Sequence, residues 1–366
     1  MAGLNHNNIS EKNLHILVIA GGSGTRFWPR SRQNRPKQLL NFWDDKSLLE
    51  HTVLRFLGQD GKSKLGSDLL RIVTTQALVD ASKKALGPVL SNGVQFLGEP
   101  FGLKTSPCIY WGLKEISKYD PEAIVCVIPS DHFIGDEEAF RRALLFAAKA
   151  SVETNGIVTL GVKPTRPETG YGYIEIDSSG VENASQSYQR VVRFVEKPVL
   201  RDALKFLSTN RYLWNAGFFV FPASVGLEAF RRCMPSLVKA FESSENITEV
   251  YRVIDPHDAV SVDYGVLEMA QEKGISVSVI PVDFTWNDLG SFTALEDIDK
   301  AVKGRVLTHN AASNIVQSDT GLIALLGVHD LVVVREGDVV LVASKDHCQD
   351  IRKLVEKVKK EFPESV

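Results

Sequence analysis

The sequence predicts an α/β protein: a mostly parallel sheet with helices on both faces, followed by a small β-rich domain near the C-terminal end. Three observations carry that expectation. Runs such as HILVIA (15–20) and AIVCVIPSD (123–131) are apolar without alternation, as strands buried on both faces are. They alternate with stretches whose apolar residues recur three and four positions apart, such as EAFRRALLFAAKAS (138–151), the period of an amphipathic helix. After Gly304 the texture changes to short strands separated by turns.

In chain order, 15–20 reads as the first strand and KSLLEHTVLRFL (46–57) as a helix. LLRIVTT (69–75) is a strand, ALVDASKKAL (77–86) a helix, VQFLGEP (94–100) a short strand and 106–118 a helix. The strand at 123–131, the helix at 138–151 and the strand GIVTLGV (156–162) continue the alternation. From about Thr169 the pattern loosens. GYGYIEID (170–177), QRVVRFVEKP (189–198) and AGFFVFP (216–222) read as strands with longer loops, a substrate-binding layer inserted into the core. ISVSVIPVDFTWNDLG (275–290) returns to a strand, and a helix is expected from Ser291 to about Val302. NIVQSD, LIALLG and LVVVREGDVVLVAS then form the β-rich part, and QDIRKLVEKVKKEF (349–362) a final charged helix. The boundary falls near 301–305, which gives domains at 1–302 and 303–366.

Composition narrows the function. The 366 residues are 44% hydrophobic and 24% charged, ordinary for a globular protein, and the formal charge is −3. That balance argues against a nucleic-acid or acidic-membrane partner and makes any basic site local. No apolar run approaches the roughly 18 residues of a membrane span, and the polar start MAGLNHNNISEKN is no signal peptide. Cys108, Cys126, Cys233 and Cys348 lack both disulfide-framework and metal-ligand spacing, so a reduced cytoplasmic protein is expected. The Asn-x-Ser/Thr triplets at Asn8, Asn183 and Asn246 then carry no weight.

The first strand leads into AGGSGTRFWPRSRQNRPK (20–37), three glycines followed by Arg26, Arg30, Arg32, Arg35 and Lys37. Reading Gly22-Ser23-Gly24 as a dinucleotide fingerprint puts Phe27 where its third glycine belongs. The lone Gly-Lys-Ser at 61–63 has Phe56 in place of the first P-loop glycine and follows no strand. What survives is a strand end, a turn of exposed N–H groups and cations within reach, a nest for phosphate.

The stretch GGSGTRFWPRSRQNRPKQLL resembles the signature of the sugar-nucleotide pyrophosphorylases, and its Phe-Trp-Pro and Pro-Lys-Gln-Leu elements resemble the mannose-1-phosphate guanylyltransferase branch. GEP (98–100), PSDH (129–132), RPETGYGYIE (166–175), FVEKP (194–198), LWNAGFFVF (213–221), SVDYGVLE (261–268) and WNDLGSF (286–292) continue the resemblance in order. It implies a Rossmann-like, GT-A-type catalytic domain, and a C-terminal domain like the short left-handed β-helix that supports dimers in relatives. It implies a reaction in which a sugar 1-phosphate oxygen attacks the α-phosphorus of a nucleoside triphosphate and expels pyrophosphate. Here the pair would be GTP and mannose 1-phosphate, with Mg2+ as cofactor and a homodimer as the assembly. The chain ends before the fused isomerase domain of some relatives, so one activity is expected.

Two polyanions must meet in such a reaction, so catalysis should rest on cations and positioning. By analogy Arg26 and Lys37 hold the triphosphate, and Lys197 neutralises the sugar phosphate. The nucleotide would lie on Gly21, Gly22, Ser23, Gly24 and Thr25, with Glu99 for the base and Lys104, Thr105 and Asp131 nearby. Gly170, Glu196, Asn215 and Asp263 would take the sugar, as vicinal hydroxyls need groups that accept and donate. Asp131 and Asp288 each follow a strand of the parallel sheet, so both fall on one edge and can share a metal ion. Against these roles, Asp131 could open a helix, Asp288 could be an N-cap, and Glu99 could be solvated. His132 is expected to prop its loop, and Trp28, Trp214 and Trp286 to pack the walls of the site. One stretch departs from the branch: FGLKTSPC has Leu103-Lys104 where relatives carry a basic residue and Asn, while Thr105 and Pro107 remain. UTP or dTTP with glucose 1-phosphate, or a silent regulator that binds an NDP-sugar, stay open as alternatives.

Overall fold

The computed structural model describes residues 9–10, 14–58, 65–177 and 188–366. The Gly-Lys-Ser at 61–63 and the triplets at Asn8 and Asn183 lie outside them. The first half alternates as its periodicity requires: β1 (Leu14–Ile19), α1 (Leu48–Leu57), β2 (Leu70–Thr75), α2 (Val79–Ser91), β3 (Gln95–Glu99) and α3 (Thr105–Tyr119). Next come β4 (Ile124–Pro129), β5 (Phe133–Ile134), α4 (Glu137–Thr154) and β6 (Ile157–Val162). Then follow β7 (Tyr173–Ile176), β8 (Gln189–Val195), α5 (Leu200–Ser208), β9 (Tyr212–Pro222), α6 (Ala223–Cys233), α7 (Pro235–Glu242) and α8 (Ile247–Val253). A π-helical turn (Asp263–Leu267) runs into α9 (Glu268–Ala270). β10 (Val277–Val282), β11 (Trp286–Asn287) and α10 (Ala294–Asp297) precede β12 (Val302–His309), β13 (Ile315–Leu326), β14 (Leu331–Glu336), β15 (Val339–Ser344) and α11 (Ile351–Glu361).

Local chemistry sets the helix starts. Ser47 accepts from the Glu50 N–H while the Glu50 carboxylate accepts from Ser47, a capping box that opens α1. Asp136 accepts from Ala139 N–H at the start of α4, and Asn246 caps α8. Asp131 therefore opens no helix.

The main sheet runs β3-β2-β1-β4-β9-β6-β10-β8-β7. β1 to β4 are parallel, β9 enters antiparallel between β4 and β6, and β6 and β10 return to the first direction. The expected inserted layer is no separate layer, because β8 pairs with β10 and β7 pairs with β8 and β9, extending the same sheet. Successive residues of β1 face opposite sides: Leu17 packs with α3 and α6, Ile16 and Val18 with α1 and α4. Each face is covered by its own core, which is why β1 is apolar at every position but His15.

The expected helix at 291–302 is a single turn, α10. Phe292, Leu295 and Ile298 turn their side chains into a third core. Asp299 at φ 56° ends the turn, with Lys300 N–H donating to Leu295 O. From Val302 the chain coils: Arg305 lies beside Leu322 and Ile315 beside Val332 in parallel, with short corners and no crossover helix, as in a β-helix. β14 and β15 close it as a hairpin.

The third core joins the pieces. Phe27, Trp28, Leu40 and Phe42 from the loop after β1 pack with Leu289 and Phe292, and with Ile315, Val334 and Ile351 of the C-terminal part. Phe27, 1% exposed, is edge-on to Phe42 and Phe292 with centroids 4.8 and 5.0 Å away. Phe27→Ala should lower stability by about 3–5 kcal/mol, because three chain segments lose a common contact. Urea titration followed by fluorescence checks this, and a loss below about 1 kcal/mol would contradict it.

Candidate functional site

In an open α/β sheet, ligands bind beyond the carboxyl ends of the strands, where the strand order reverses. Here the reversal lies between β1 and β4. The loops after β1, β4 and β10 meet there around a cavity of about 320 Å³, lined by Gly21, Thr105, Asp131, Gly170, Glu196, Asn215, Asp263 and Asp288 among others. A second, larger cavity of about 690 Å³ shares Gly170, Tyr171 and Asp288 with the first and adds Arg26, Arg166, Lys197 and Gln349. Residues from Ile19 to Gln349 in the sequence therefore border one continuous cleft.

Lys37 is the joint of the site. Its ammonium, buried at 7% exposure, donates to Asp131 Oδ2 at 2.8 Å and to the Asp288 carbonyl at 2.6 Å. Burial alone would raise the Asp131 pKa. The charges of Lys37 and His132 outweigh it and hold the carboxyl below its usual value. Gly24, at φ 61°, lies so close to Lys37 that an added Cβ would meet its backbone and Cβ. Gly24 opens the short turn Thr25–Phe27, which aims Arg26 at the Gly290 carbonyl, 2.8 Å away. Gly22 and Ser23 are exposed and do not line the cavities.

Asp288 follows an Asx turn in which Asn287 Oδ1 accepts from the Leu289 N–H at 2.7 Å. It caps no helix. Its Oδ1 accepts from the Tyr171 hydroxyl at 3.0 Å. Tyr171 borders both cavities and packs on Trp214 and Trp286, a role that the sequence does not reveal even though GYGY lies within a family motif. Trp286 N–H donates to His132 Nδ1 at 3.2 Å, so His132 props the loop after β4. Trp28 differs: its N–H donates to Ser365 O at 2.7 Å, fastening the C-terminal end rather than walling the cavity.

On the other side, Asn215 Nδ2 donates to Asp263 Oδ1 at 3.0 Å, and Asn215 Oδ1 accepts from Gly217 N–H and Thr159. One amide hydrogen of Asn215 remains to offer a ligand. Asp263 stands on the π-helical turn, a common device at functional sites. Burial, and then Glu196, push its carboxyl up to about 6, against Lys197. Lys197, at φ 48°, pairs with Glu196 and reaches the larger cavity.

Gly24 and Thr25 also line neither cavity, and two further assigned residues, Glu99 and Lys104, lie away from both. Glu99 is 3% exposed, neither solvated nor a cavity-lining group. Its Oε1 accepts from the Tyr251 hydroxyl at 2.8 Å, among Phe101, Trp111 and Tyr251. Lys104, at φ 68°, is exposed just before α3, while Thr105 Oγ1 accepts from Val262 N–H. Of the five cations in the loop after β1, Arg30 and Arg35 pair with Glu336 and line neither of these two cavities. The sequence points to neither Gln349 nor Arg166. Gln349 comes from the C-terminal part and carries no local signal, whereas Arg166 lies within RPETG. Among the described residues no group of three or more His, Cys, Asp and Glu side chains forms a metal cage.

A family described as nucleotidyl transferase matches residues 15–304, and one described as MannoseP isomerase/GMP-like beta-helix domain matches residues 304–358. A mannose-1-phosphate guanylyltransferase of Salmonella montevideo is 34% identical over 359 residues, 94% of this chain and 74% of the relative. Its counterpart in Escherichia coli strain K12 is 32% identical over 371 residues, 96% of this chain and 74% of the relative. A crystal structure from Thermus thermophilus, described as a "mannose-1-phosphate geranyltransferase", superposes with a TM-score of 0.83 at 34% identity. It covers 95% of this chain and 99% of its own.

Glu99 gives the region a pH signature. Burial raises its carboxyl from the usual 4.5 to about 7, against the Tyr251 hydrogen bond. Between those values the folded chain keeps a proton that the unfolded chain has lost. The stability from Glu99 is thus complete below about pH 4.5 and lost as pH rises through about 7. Glu99→Gln, neutral throughout, should gain about 2–3 kcal/mol on the parent between about pH 5 and 8. Urea midpoints at both pH values read this, and a constant difference would refute it.

Proposed function

The chain belongs to the nucleotidyl transferase family, and from that membership we propose that it is a mannose-1-phosphate guanylyltransferase, joining GTP and mannose 1-phosphate into GDP-mannose and pyrophosphate. One observation carries the reading: Asp131, Asp288, Glu196, Asn215 and Asp263 converge on one cavity, continuous with a second that holds Arg26 and Lys197. The relatives of that name cover nearly the whole chain.

The larger cavity, with Arg26 and Lys197, suits the phosphates, and the smaller one suits a polyol. Lys197 neutralises the sugar phosphate as it approaches, and Arg26 and Lys37 hold the triphosphate. The sugar phosphate oxygen bonds to the α-phosphorus in line, and the bond to the β-phosphate breaks with its electron pair leaving on pyrophosphate. Asp263 and Glu196 accept from sugar hydroxyls, and Asn215 donates its free amide hydrogen. The glycine turn offers the backbone N–H of Gly21 to the nucleotide. Lys104 adds a cation beside α3, offsetting the basic residue absent at Leu103.

The residues fit a magnesium ion. Asp131 and Asp288 line one cavity and would present it with hard carboxylate oxygens, the donors that such an ion takes. When bound, such an ion would withdraw charge from the reacting phosphate.

We assign 1–302 to catalysis and 303–366 to the C-terminal domain. The homodimer reading is supported by exposed Leu307, Leu322, Leu326, Val340 and Val342 on β12, β13 and β15. The cytoplasm is supported by four cysteines free of disulfides, and no helix among the described residues is long and apolar enough to cross a membrane.

A screen of nucleoside triphosphates against sugar 1-phosphates, read by pyrophosphate release, should find GTP with mannose 1-phosphate best. Chelation by EDTA should abolish turnover, as should Asp131→Asn or Asp288→Asn for the most part. UTP or dTTP with glucose 1-phosphate outperforming GTP would overturn the substrates but leave the reaction class, and no turnover with any pair would favour the silent regulator.

Lys197→Ala should raise the Michaelis constant for the sugar phosphate, and Arg26→Ala should impair the nucleotide half or kcat, each about 10- to 100-fold. Steady-state kinetics with each substrate varied decides, and a Lys197→Ala effect confined to the nucleotide would reverse the roles.

A further inference from the structure

Of the five cations from Arg26 to Lys37, Arg26 lines the cleft and Lys37 bonds two residues that line it, and the structure shows where two others go. Arg30 is 5% exposed, and its guanidinium donates to Gln317 Oε1 at 2.9 Å and to the Asn41 carbonyl at 2.7 Å. Its Nε lies 3.4 Å from Glu336 Oε2. Arg35 Nη1 donates to the other Glu336 oxygen at 2.5 Å. One carboxylate at the end of β14, in the C-terminal domain, thus pairs with two of the four arginines of the loop after β1.

The path from that carboxylate to Lys37 has little slack. Arg32 and Arg35 exchange backbone hydrogen bonds at 3.0 and 3.1 Å, closing a tight hairpin. Pro36, with φ restricted by its ring, follows directly, and Lys37 opens a short turn closed by Leu39 N–H to Pro36 O. Gln38 Nε2 donates to the Ala20 carbonyl at 2.9 Å, and Gly24 abuts Lys37 from the other side. Shifting Arg35 therefore shifts Lys37, and with it the contact to Asp131 and the Asp288 carbonyl. At the far end of the loop, α11 packs on the turn that carries Arg26.

We infer that Glu336 is a positioning residue: through Arg30 and Arg35 the C-terminal domain sets the place of Lys37 against Asp131 and Asp288, which line the cleft. The consequence for rate rests on the guanylyltransferase reading, but the placement of Lys37 does not.

Glu336→Gln keeps the volume and an acceptor oxygen, and Arg35→Met removes one arm while Arg30 stays paired, so at least one variant should fold. The first readout is independent of activity: the rate at which an amine-acetylating reagent modifies Lys37, followed by mass spectrometry. In both variants it should rise more than tenfold, while Lys114 on α3 reacts as in the parent. An unchanged Lys37 rate, or an equal rise at Lys114, overturns the inference whether or not the parent turns over substrate. The second readout is kinetic. Glu336→Gln should lower kcat about 10- to 100-fold with little change in either Michaelis constant, as misplacement of a catalytic group does. The effect should largely vanish in a Lys37→Met background. A lowered melting temperature with unchanged kcat, or a loss that multiplies with that of Lys37→Met, would mean that Glu336 only stabilises the fold.

Discussion

A buried ammonium between two loops organises this molecule. Lys37 donates to the Asp131 carboxylate and to the Asp288 carbonyl, tying together the loops after β1, β4 and β10. A buried charge is tolerable only when paired and hydrogen-bonded, so the three loops cannot separate without exposing an uncompensated ion. The same contact keeps Asp131 ionised, as a residue offering oxygen to a cation or facing a phosphate-bound metal must be. It also explains the glycine at position 24, since any side chain there would displace Lys37.

Around that joint the cleft has two parts. Arg26, Arg166 and Lys197 open into the larger cavity beside Glu168, Glu296 and Asp297, whereas Glu196, Asn215 and Asp263 line the smaller one. Tyr171 and Asp288 stand between them, joined by a hydrogen bond. Ion pairs already join the two kinds of group: Arg166 with Glu168 and Asp297, Lys37 with Asp131, and Lys197 with Glu196.

The β-helix-like domain is bound into this arrangement rather than appended to it. Its apolar face completes the core begun by Phe27, Trp28 and Phe42, and Glu336 holds two arginines of the same loop. A loop rich in cations and glycine would otherwise lack an apolar floor.

The sequence by itself determined the α/β class, the order of nearly every element and the edge on which Asp131 and Asp288 meet. These follow from apolar period, and from the rule that parallel strands end on one side. It misjudged 291–302, because spacing of three fits a helix as well as a short turn docked on aromatics, and only the packing of Phe292, Leu295 and Ile298 separates the two. It assigned Glu99 to the base because a carboxylate can accept from the N–H groups of a base edge, and only the fold brings Tyr251, distant in sequence, to donate to it. It pooled five cations into one anion site, because charge is legible residue by residue and partnership is not. Which arginine meets Glu336 and which faces the cleft depends on contacts across some three hundred residues, and tertiary structure alone brings those partners within hydrogen-bond reach.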